Sequence, residues 1–171
     1  MASNATTSSN AAEFAYTRVL DPPRAQIFKA FTDVDELKHW WGPRGFQWVS
    51  AKLELRPGGV FHYCMRSPQG VDMWGLFVYR EVVPSERLVF VNSFSDEKGG
   101  VIPNPWIPEM PQEILNVVTF IERDGKTTIH MRGTPINASE AARKLFESSR
   151  ESMEKGFGGT FQALEEYLAT R

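Results

Sequence analysis

The chain has 171 residues, with 19 lysines and arginines against 21 aspartates and glutamates, and a formal charge of −2. This length suits one ordinary domain, and 42% hydrophobic with 23% charged residues is a globular composition. The lack of a basic surplus argues against a nucleic-acid binder, and the single Cys64 excludes an internal disulfide or a multi-cysteine zinc site. The 12 Phe, 5 Trp, 4 Tyr and 6 Met are a large supply of apolar side chains for one small domain.

The amino terminus is predicted to be a leader ahead of that domain. Residues 1–12 carry no charged side chain and no apolar stretch, so they do not resemble a secretory signal. We assign residues 1–13 to a disordered leader or tag remnant and residues 14–171 to a single domain. No apolar run approaches the ~18 residues of a transmembrane helix, and a cytoplasmic location is the expectation.

The first predicted elements are a strand and two short helices. The segment from Phe14 to Leu20 is rich in residues that favour strands. Asp21-Pro22-Pro23 then supplies a helix N-cap followed by proline at the first helical position. A second helix is predicted to begin at Asp33, with Glu36 at capping-box spacing, and to end at Gly42-Pro43.

Beyond residue 46 the hydrophobic pattern becomes that of strands joined by short turns. Short turns imply antiparallel pairing, because a parallel crossover needs a dozen residues or more. The pattern predicts six strands, near residues 46–55, 60–67, 72–83, 86–95, 114–123 and 126–134. The proline-rich segment 96–113 is the exception, and is predicted to be a binding loop or an arm packed on this chain or on a neighbouring subunit.

The last predicted element is one long helix from Asn137 to about Ala169, with Glu140 completing a capping box. Three glycines interrupt this helix between residues 156 and 159, and we favour close contact with the sheet or a bend as the reason, over room for a ligand. The apolar positions of the helix recur at helical spacing, at Phe146, Met153, Phe157, Phe161, Leu164 and Leu168.

Together these elements predict an α+β fold in which a curved antiparallel sheet wraps around a long C-terminal helix. The predicted order is one strand, two helices, six strands and one helix (β-α-α-β6-α). An antiparallel sheet needs its apolar face covered, and the terminal helix is the only predicted element long enough to cover it. A concave space is therefore expected between sheet and helix.

Several motifs give the sequence a family resemblance. The most specific are Trp40-Trp41-Gly42-Pro43 and Leu55-Arg56-Pro57-Gly58-Gly59, with further matches from Glu81 to Phe90 and from Met153 to Leu168. Over residues 14–169 the chain resembles the domain related to the activator of Hsp90 ATPase. That domain belongs to the START or Bet v 1-like (SRPBCC) superfamily, whose fold is called the helix grip.

The resemblance implies a stand-alone domain with an internal cavity for an apolar or amphipathic small molecule. Superfamily members that catalyse, such as polyketide cyclases, make a cyclase- or hydrolase-type enzyme one alternative. The family name makes a chaperone-regulating role with Hsp90 another, although that role belongs to larger eukaryotic proteins with an additional amino-terminal domain. A homodimer is left open, and no cofactor, nucleic acid or membrane insertion is expected.

Aromatic and methionine side chains are the candidates for a cavity wall. Strand alternation places Phe61, Tyr63 and Met65 on one face and His62 and Cys64 on the other, without showing which face is inward. Ordinary core packing without a cavity is the alternative for each candidate. The predicted lining residues are Trp41, Phe61, Tyr63, Met65, Phe77, Phe90, Met153 and Phe157, with Trp106 and Met110 at the mouth.

Acid–base chemistry has only weak candidates in this sequence. His62 and His130 could move a proton if both face the cavity. The same two histidines with Cys64 are too thin a set to predict a metal site. A binding domain is therefore the expectation, ahead of an enzyme. Further titratable residues, which form no recognisable motif, are His39, Asp72, Glu113 and Tyr63.

Overall fold

An eight-stranded antiparallel sheet is the centre of the computed structural model, which describes residues 13–171. All six strands predicted beyond residue 46 are present, and residues 1–12 of the predicted leader lie outside the described residues. The strands are β1 (Phe14–Leu20), β2 (Gln47–Leu53), β3 (Val60–Arg66), β4 (Asp72–Val83), β5 (Arg87–Ser95), β6 (Val101–Ile102), β7 (Glu113–Arg123) and β8 (Lys126–Ile136). Their order across the sheet is β1-β8-β7-β5-β4-β3-β2, and the short β6 pairs with β5.

Four described helices complete the molecule: α1 (Arg24–Thr32), α2 (Val34–Leu37), α3 (Glu140–Ser148) and α4 (Arg150–Leu168). The predicted α+β helix-grip fold is therefore confirmed. Tight turns set the hairpins, as at Asp124 and Gly125, whose φ angles of 53° and 76° suit a two-residue connection between β7 and β8. None of the described helices combines the length and the apolar composition that a membrane span requires.

The C-terminal helix differs from its prediction, because it is broken at Ser149 into α3 and α4. The Ser149 hydroxyl donates a 2.7 Å hydrogen bond to the carbonyl of Leu145, a back-bond that bends helices. The predicted cap is also wrong. Asn137 has a φ of 52°, in the left-handed region, whereas Ser139 is extended and its hydroxyl accepts from the Ala142 N–H at 3.1 Å.

The two short helices differ from their predictions at their ends. The N-cap of α1 is Pro23, two residues later than the predicted Asp21. The predicted cap of α2 is confirmed, since the Asp33 carboxylate accepts from the Asp35 N–H at 2.9 Å. The helix ends at Leu37, before Gly42, and turns carry the chain into the Trp-Trp-Gly-Pro segment.

The core lies between the inner face of the sheet and α4. Phe61, Tyr63 and Met65 are all buried on this inner face. The face of β3 that carries them is therefore the inward one, which the sequence alone did not show. The indole N–H of Trp40 donates to the Ala30 carbonyl at 3.0 Å, so the Trp-Trp-Gly-Pro segment is fixed against α1. Phe161 of α4 packs on this part of the core.

Candidate functional site

A cavity of about 220 Å³ lies between the inner face of the sheet, the C-terminal helices and the segment before β7. For scale, an engineered cavity of about 150 Å³ accepts benzene, so this space has room for a small molecule. Among the described residues, no lining side chain is charged or a histidine. The aromatic and methionine lining residues are Phe14, Phe31, Trp40, Trp41, Tyr63, Phe77, Phe90, Phe94, Phe146, Phe157, Phe161, Met110, Met131 and Met153.

Most of the candidates for the cavity wall do lie on it. The three that do not are Phe61, Met65 and Trp106. Phe61 and Met65 are 0% and 1% exposed, so they are ordinary core residues, while Trp106 is 60% exposed. The seven that line the cavity are Trp41, Tyr63, Phe77, Phe90, Met110, Met153 and Phe157.

Phe61 and Met65 miss the cavity because neighbouring side chains fill the space in front of them. The Phe61 ring lies 4.7 Å from the Tyr63 ring and 5.2 Å from the Phe77 ring. Met65 fills the space beside Gly42, where an added Cβ would lie 2.5 Å from the methionine sulfur. The cavity therefore does not extend to Phe61 and Met65 of β3.

Tyr63 takes its position in the cavity wall from a glycine on the next strand. The two residues face each other in the β3–β4 register, and the phenol end of Tyr63 occupies the space where Gly75 would carry a Cβ. Burial raises the pKa of Tyr63 to about 12, and the nearby Trp41 indole N–H acts in the opposite direction. The phenol is therefore a neutral hydroxyl near pH 7, and the Trp41 indole N–H is the polar group beside it.

Two asparagines place amide groups among these aromatic side chains. Asn116 of β7 is 7% exposed, Asn92 of β5 is half-buried, and both line the cavity. The Asn116 side-chain N–H₂ donates to Asn92 Oδ1 at 2.7 Å and to the Ile114 carbonyl at 3.1 Å. Sequence reasoning missed Asn116, although an asparagine inside the run Leu115–Val118 is a signal that could have marked it.

The two histidine candidates lie far apart and away from the cavity. His62 Nε2 lies 3.1 Å from both the Ser95 hydroxyl and the Asp96 carbonyl, and its ring stacks on Trp74 at 4.8 Å. His130 Nδ1 lies 3.0 Å from the Thr17 hydroxyl. Three strands separate β3 from β8, a distance of about 19 Å, so the two rings cannot share a proton or a metal.

The other titratable candidates are likewise engaged in local contacts. The His39 ring stacks on Tyr167 at 4.6 Å, and Asp72 forms an ion pair with Arg66 at 2.7 Å. Glu113 accepts from the Asn137 amide at 3.4 Å. Within residues 13–171, no three side chains of metal-binding type form a group that could hold an ion.

The proline-rich segment covers one end of the cavity and packs on its own chain. Met110 lines the cavity, and its sulfur lies 3.9 Å from the Ser149 hydroxyl oxygen, at the break between α3 and α4. Trp106 places its ring against that of Phe94 at 5.6 Å. Asn104 is half-buried and Gln112 is exposed, and both line the cavity, so this end reaches the surface.

The N-terminal half of α4 covers the cavity and is less deeply buried than the C-terminal half. Met153 and Phe157 face the cavity and are only half-buried. The close contact predicted for the glycines is wrong at Gly156 and Gly159, where an added Cβ would meet no atom within 4 Å. Each helical glycine lowers helix stability by about 1 kcal/mol relative to alanine. No neighbouring atom packs against Gly156 or Gly159 to compensate for this loss.

The C-terminal half of α4 is fixed through Glu36 of α2, which is 5% exposed. The hydroxyl of Tyr167 donates to this carboxylate at 2.7 Å, and Arg171 approaches both of its oxygens at 2.8 Å. These partners satisfy a buried charge, which would otherwise be costly. Leu164 and Leu168, both buried, pack in the core beside this network.

Comparison with known proteins identifies one family and many structures of the same shape. The family model described as Activator of Hsp90 ATPase homolog 1-like protein matches residues 21–169. A search of curated proteins found no match.

Solved structures from several bacteria share the fold over nearly the whole chain. The Mycobacterium smegmatis protein Ms6760 is 26% identical with a TM-score of 0.73, over 92% of this chain and 91% of that one. The Nitrosomonas europaea protein NE0264 is 23% identical with a TM-score of 0.72, over 92% and 94%. A Rhodobacter sphaeroides protein is 19% identical with a TM-score of 0.75, over 94% and 95%.

Proposed function

This chain belongs to the family of Activator of Hsp90 ATPase homolog 1-like proteins, and from that premise we propose that it binds an apolar or amphipathic small molecule in its internal cavity. The observation that carries the proposal is the cavity of about 220 Å³ with its aromatic and methionine wall. Binding sites for small molecules are concave and mostly apolar, with a few polar groups that fix orientation. This wall has that composition.

An enzyme of cyclase or hydrolase type finds less support among the described residues. General acid–base catalysis needs a titratable group within hydrogen-bond reach of the reacting atoms. The histidines considered for that role, His62 and His130, do not line the cavity, and within residues 13–171 Tyr63 is the one titratable side chain that does. Its raised pKa makes it a poor base near neutral pH.

The proposal is tested by placing a charge on the helix face that covers the cavity. Isopropylbenzene, an apolar probe of suitable size, would be titrated into labelled protein while NMR shifts are followed. Met153→Glu should abolish the shifts, because it introduces a carboxylate without a partner into an apolar space. The matched control Ser152→Glu adds the same charge at the neighbouring exposed position and should leave them unchanged.

Two results would contradict the proposal. One is an unvarying spectrum of the wild-type protein at saturating isopropylbenzene. The other is unchanged uptake by a folded Met153→Glu variant, which would move the binding site away from this part of α4.

A second candidate function, binding of a protein partner such as Hsp90, is favoured by one observation. Trp106 and Ile107, adjacent on the proline-rich segment, form a small apolar patch and are 60% and 45% exposed. Exposed apolar patches frequently mark interaction surfaces. If this patch binds Hsp90, Trp106→Ser should weaken the complex in a titration by calorimetry, whereas failure of the wild-type protein to bind Hsp90 removes the candidate.

A further inference from the structure

The orientation of the two cavity asparagines can be fixed from their hydrogen bonds. The side-chain atom of Asn116 that lies 3.1 Å from the Ile114 carbonyl must be the N–H₂ group, since a carbonyl only accepts. The same N–H₂ group lies 2.7 Å from Asn92, whose atom there must be its oxygen. The Asn116 oxygen and the Asn92 N–H₂ group are the atoms that remain.

These remaining atoms form one free acceptor and one free donor. Neither has a hydrogen-bond partner among the described residues, and both belong to side chains that line the cavity. Asn116 as a residue is 7% exposed, and its free oxygen keeps some accessible surface, as does the free N–H₂ group of the half-buried Asn92. A ligand that supplies the missing hydrogen-bond partners to these two groups gains affinity from them.

The rest of the wall adds neutral polar groups and no charge. They include the Tyr63 hydroxyl and the indole N–H of Trp41, which is buried without a hydrogen-bond partner of good geometry. An ionised ligand group would lose its hydration on entering this space and would find no counter-ion among the described lining residues. The wall therefore disfavours fatty acids and other anions.

The size of the cavity limits the ligand as well. A space of about 220 Å³ is roughly one and a half times the 150 Å³ that accepts benzene, which allows one ring with a substituent or a small pair of fused rings. Aromatic rings such as Phe77 and Phe90, which stack at 4.3 Å, offer flat surfaces to a planar ligand.

We propose that the cavity selects an uncharged, ring-bearing molecule that presents an adjacent acceptor and donor, as a carboxamide or lactam does, to Asn92 and Asn116. The ligand carbonyl accepts from the Asn92 N–H₂ group, and the ligand N–H donates to the Asn116 oxygen. This inference rests on the proposed function, because it describes the ligand class of the same cavity.

The test compares three probes of nearly equal shape: benzamide, benzoate and isopropylbenzene. Dissociation constants would be measured at pH 7 by NMR titration of the wild-type protein. Benzamide should bind at least about tenfold more tightly than either of the others, and benzoate should be the weakest. Asn92→Leu removes the free donor, so it should remove the benzamide preference while leaving isopropylbenzene binding within about threefold.

Each outcome separates this inference from the proposed function. If all three probes bind within about threefold, or benzoate binds most tightly, the inference is overturned while the cavity remains a binding site. A folded Asn92→Leu variant that keeps the full benzamide preference also overturns it. If no probe shifts the resonances of the cavity residues, the proposed function fails together with it. Should Asn92→Leu not fold, the ranking of the probes on the wild-type protein still decides.

Discussion

The two halves of α4 are held in different ways. In the C-terminal half, Phe161 and Leu164 are 1% and 0% exposed, and the Glu36 network fixes the last turn. In the N-terminal half, Phe157 is half-buried over the cavity, and exposed glycines lower the helix propensity.

Because of this difference, a small domain can keep both a stable core and an accessible cavity. Local opening costs least where few apolar contacts and weak helix propensity coincide. In the half of α4 that covers the cavity, Met153 and Phe157 are only half-buried and glycines lower the helix propensity. Opening there would admit a ligand while the core around Leu164 stays packed.

The largest effect should come from truncating matched phenylalanines in the two halves. Phe161→Ala should lower the free energy of unfolding by about 3–5 kcal/mol, because it leaves a void beside Trp40 and Phe31. Phe157→Ala removes a half-buried ring next to existing space and should cost about 1–2 kcal/mol. Urea unfolding measures both changes in the free energy of unfolding. Equal losses in the two variants would show that the two halves of α4 are equally well packed.

An alanine on the sheet wall should have the next largest effect. Gly75→Ala places a Cβ against the phenol end of Tyr63, so the ring must shift into the cavity. Overpacking of this kind costs about 1–3 kcal/mol, and the displaced ring should also weaken probe binding. Calorimetric unfolding and an isopropylbenzene titration check the two parts, and unchanged values in both would show that Tyr63 is not held as described.

Alanines in the weak half of α4 should act in the opposite direction. The double variant Gly156→Ala/Gly159→Ala meets no neighbouring atom and should raise the free energy of unfolding by about 1–2 kcal/mol. Hydrogen exchange should slow at residues 150–160 and change little at residues 161–168. Slowing of equal size in both halves would mean that α4 opens as one unit.

The smallest effect expected is an alkaline loss of stability that involves Tyr63. The pKa of Tyr63 is raised to about 12 in the folded chain, above its ordinary value near 10, so burial favours the neutral phenol. That stability is complete below pH 10 and is lost as the pH rises towards 12. Tyr63→Phe should reduce the loss between pH 10 and pH 11 by about 1 kcal/mol, and identical unfolding curves would contradict the burial.

Much of the fold could be predicted from the sequence because its signals are local. The turn residues between strands and the Trp-Trp-Gly-Pro motif each depend on a few neighbouring positions. The break at Ser149 could not be predicted in this way, since serine is no helix breaker and the cause is a back-bond to Leu145. The glycines of α4 predict close contact with the sheet or a bend, because spacing alone does not distinguish a packed face from an exposed one.

The cavity was harder to predict, because its wall depends on contacts between distant segments. Phe61 and Tyr63 have the same strand parity, yet only Tyr63 borders the cavity, owing to what packs in front of each. The Asn92–Asn116 hydrogen bond joins residues on two strands. It cannot be predicted until the pairing of β5 with β7 is known.

The central claim is that the cavity holds a small molecule, and native mass spectrometry of the protein purified from its own host tests this most directly. We expect a non-covalent mass excess from an uncharged, ring-bearing molecule, which disappears on unfolding and is absent from Met153→Glu but retained by Ser152→Glu. The bare mass of the chain at every stage of a gentle purification, or an adduct that Met153→Glu retains in full, would contradict it.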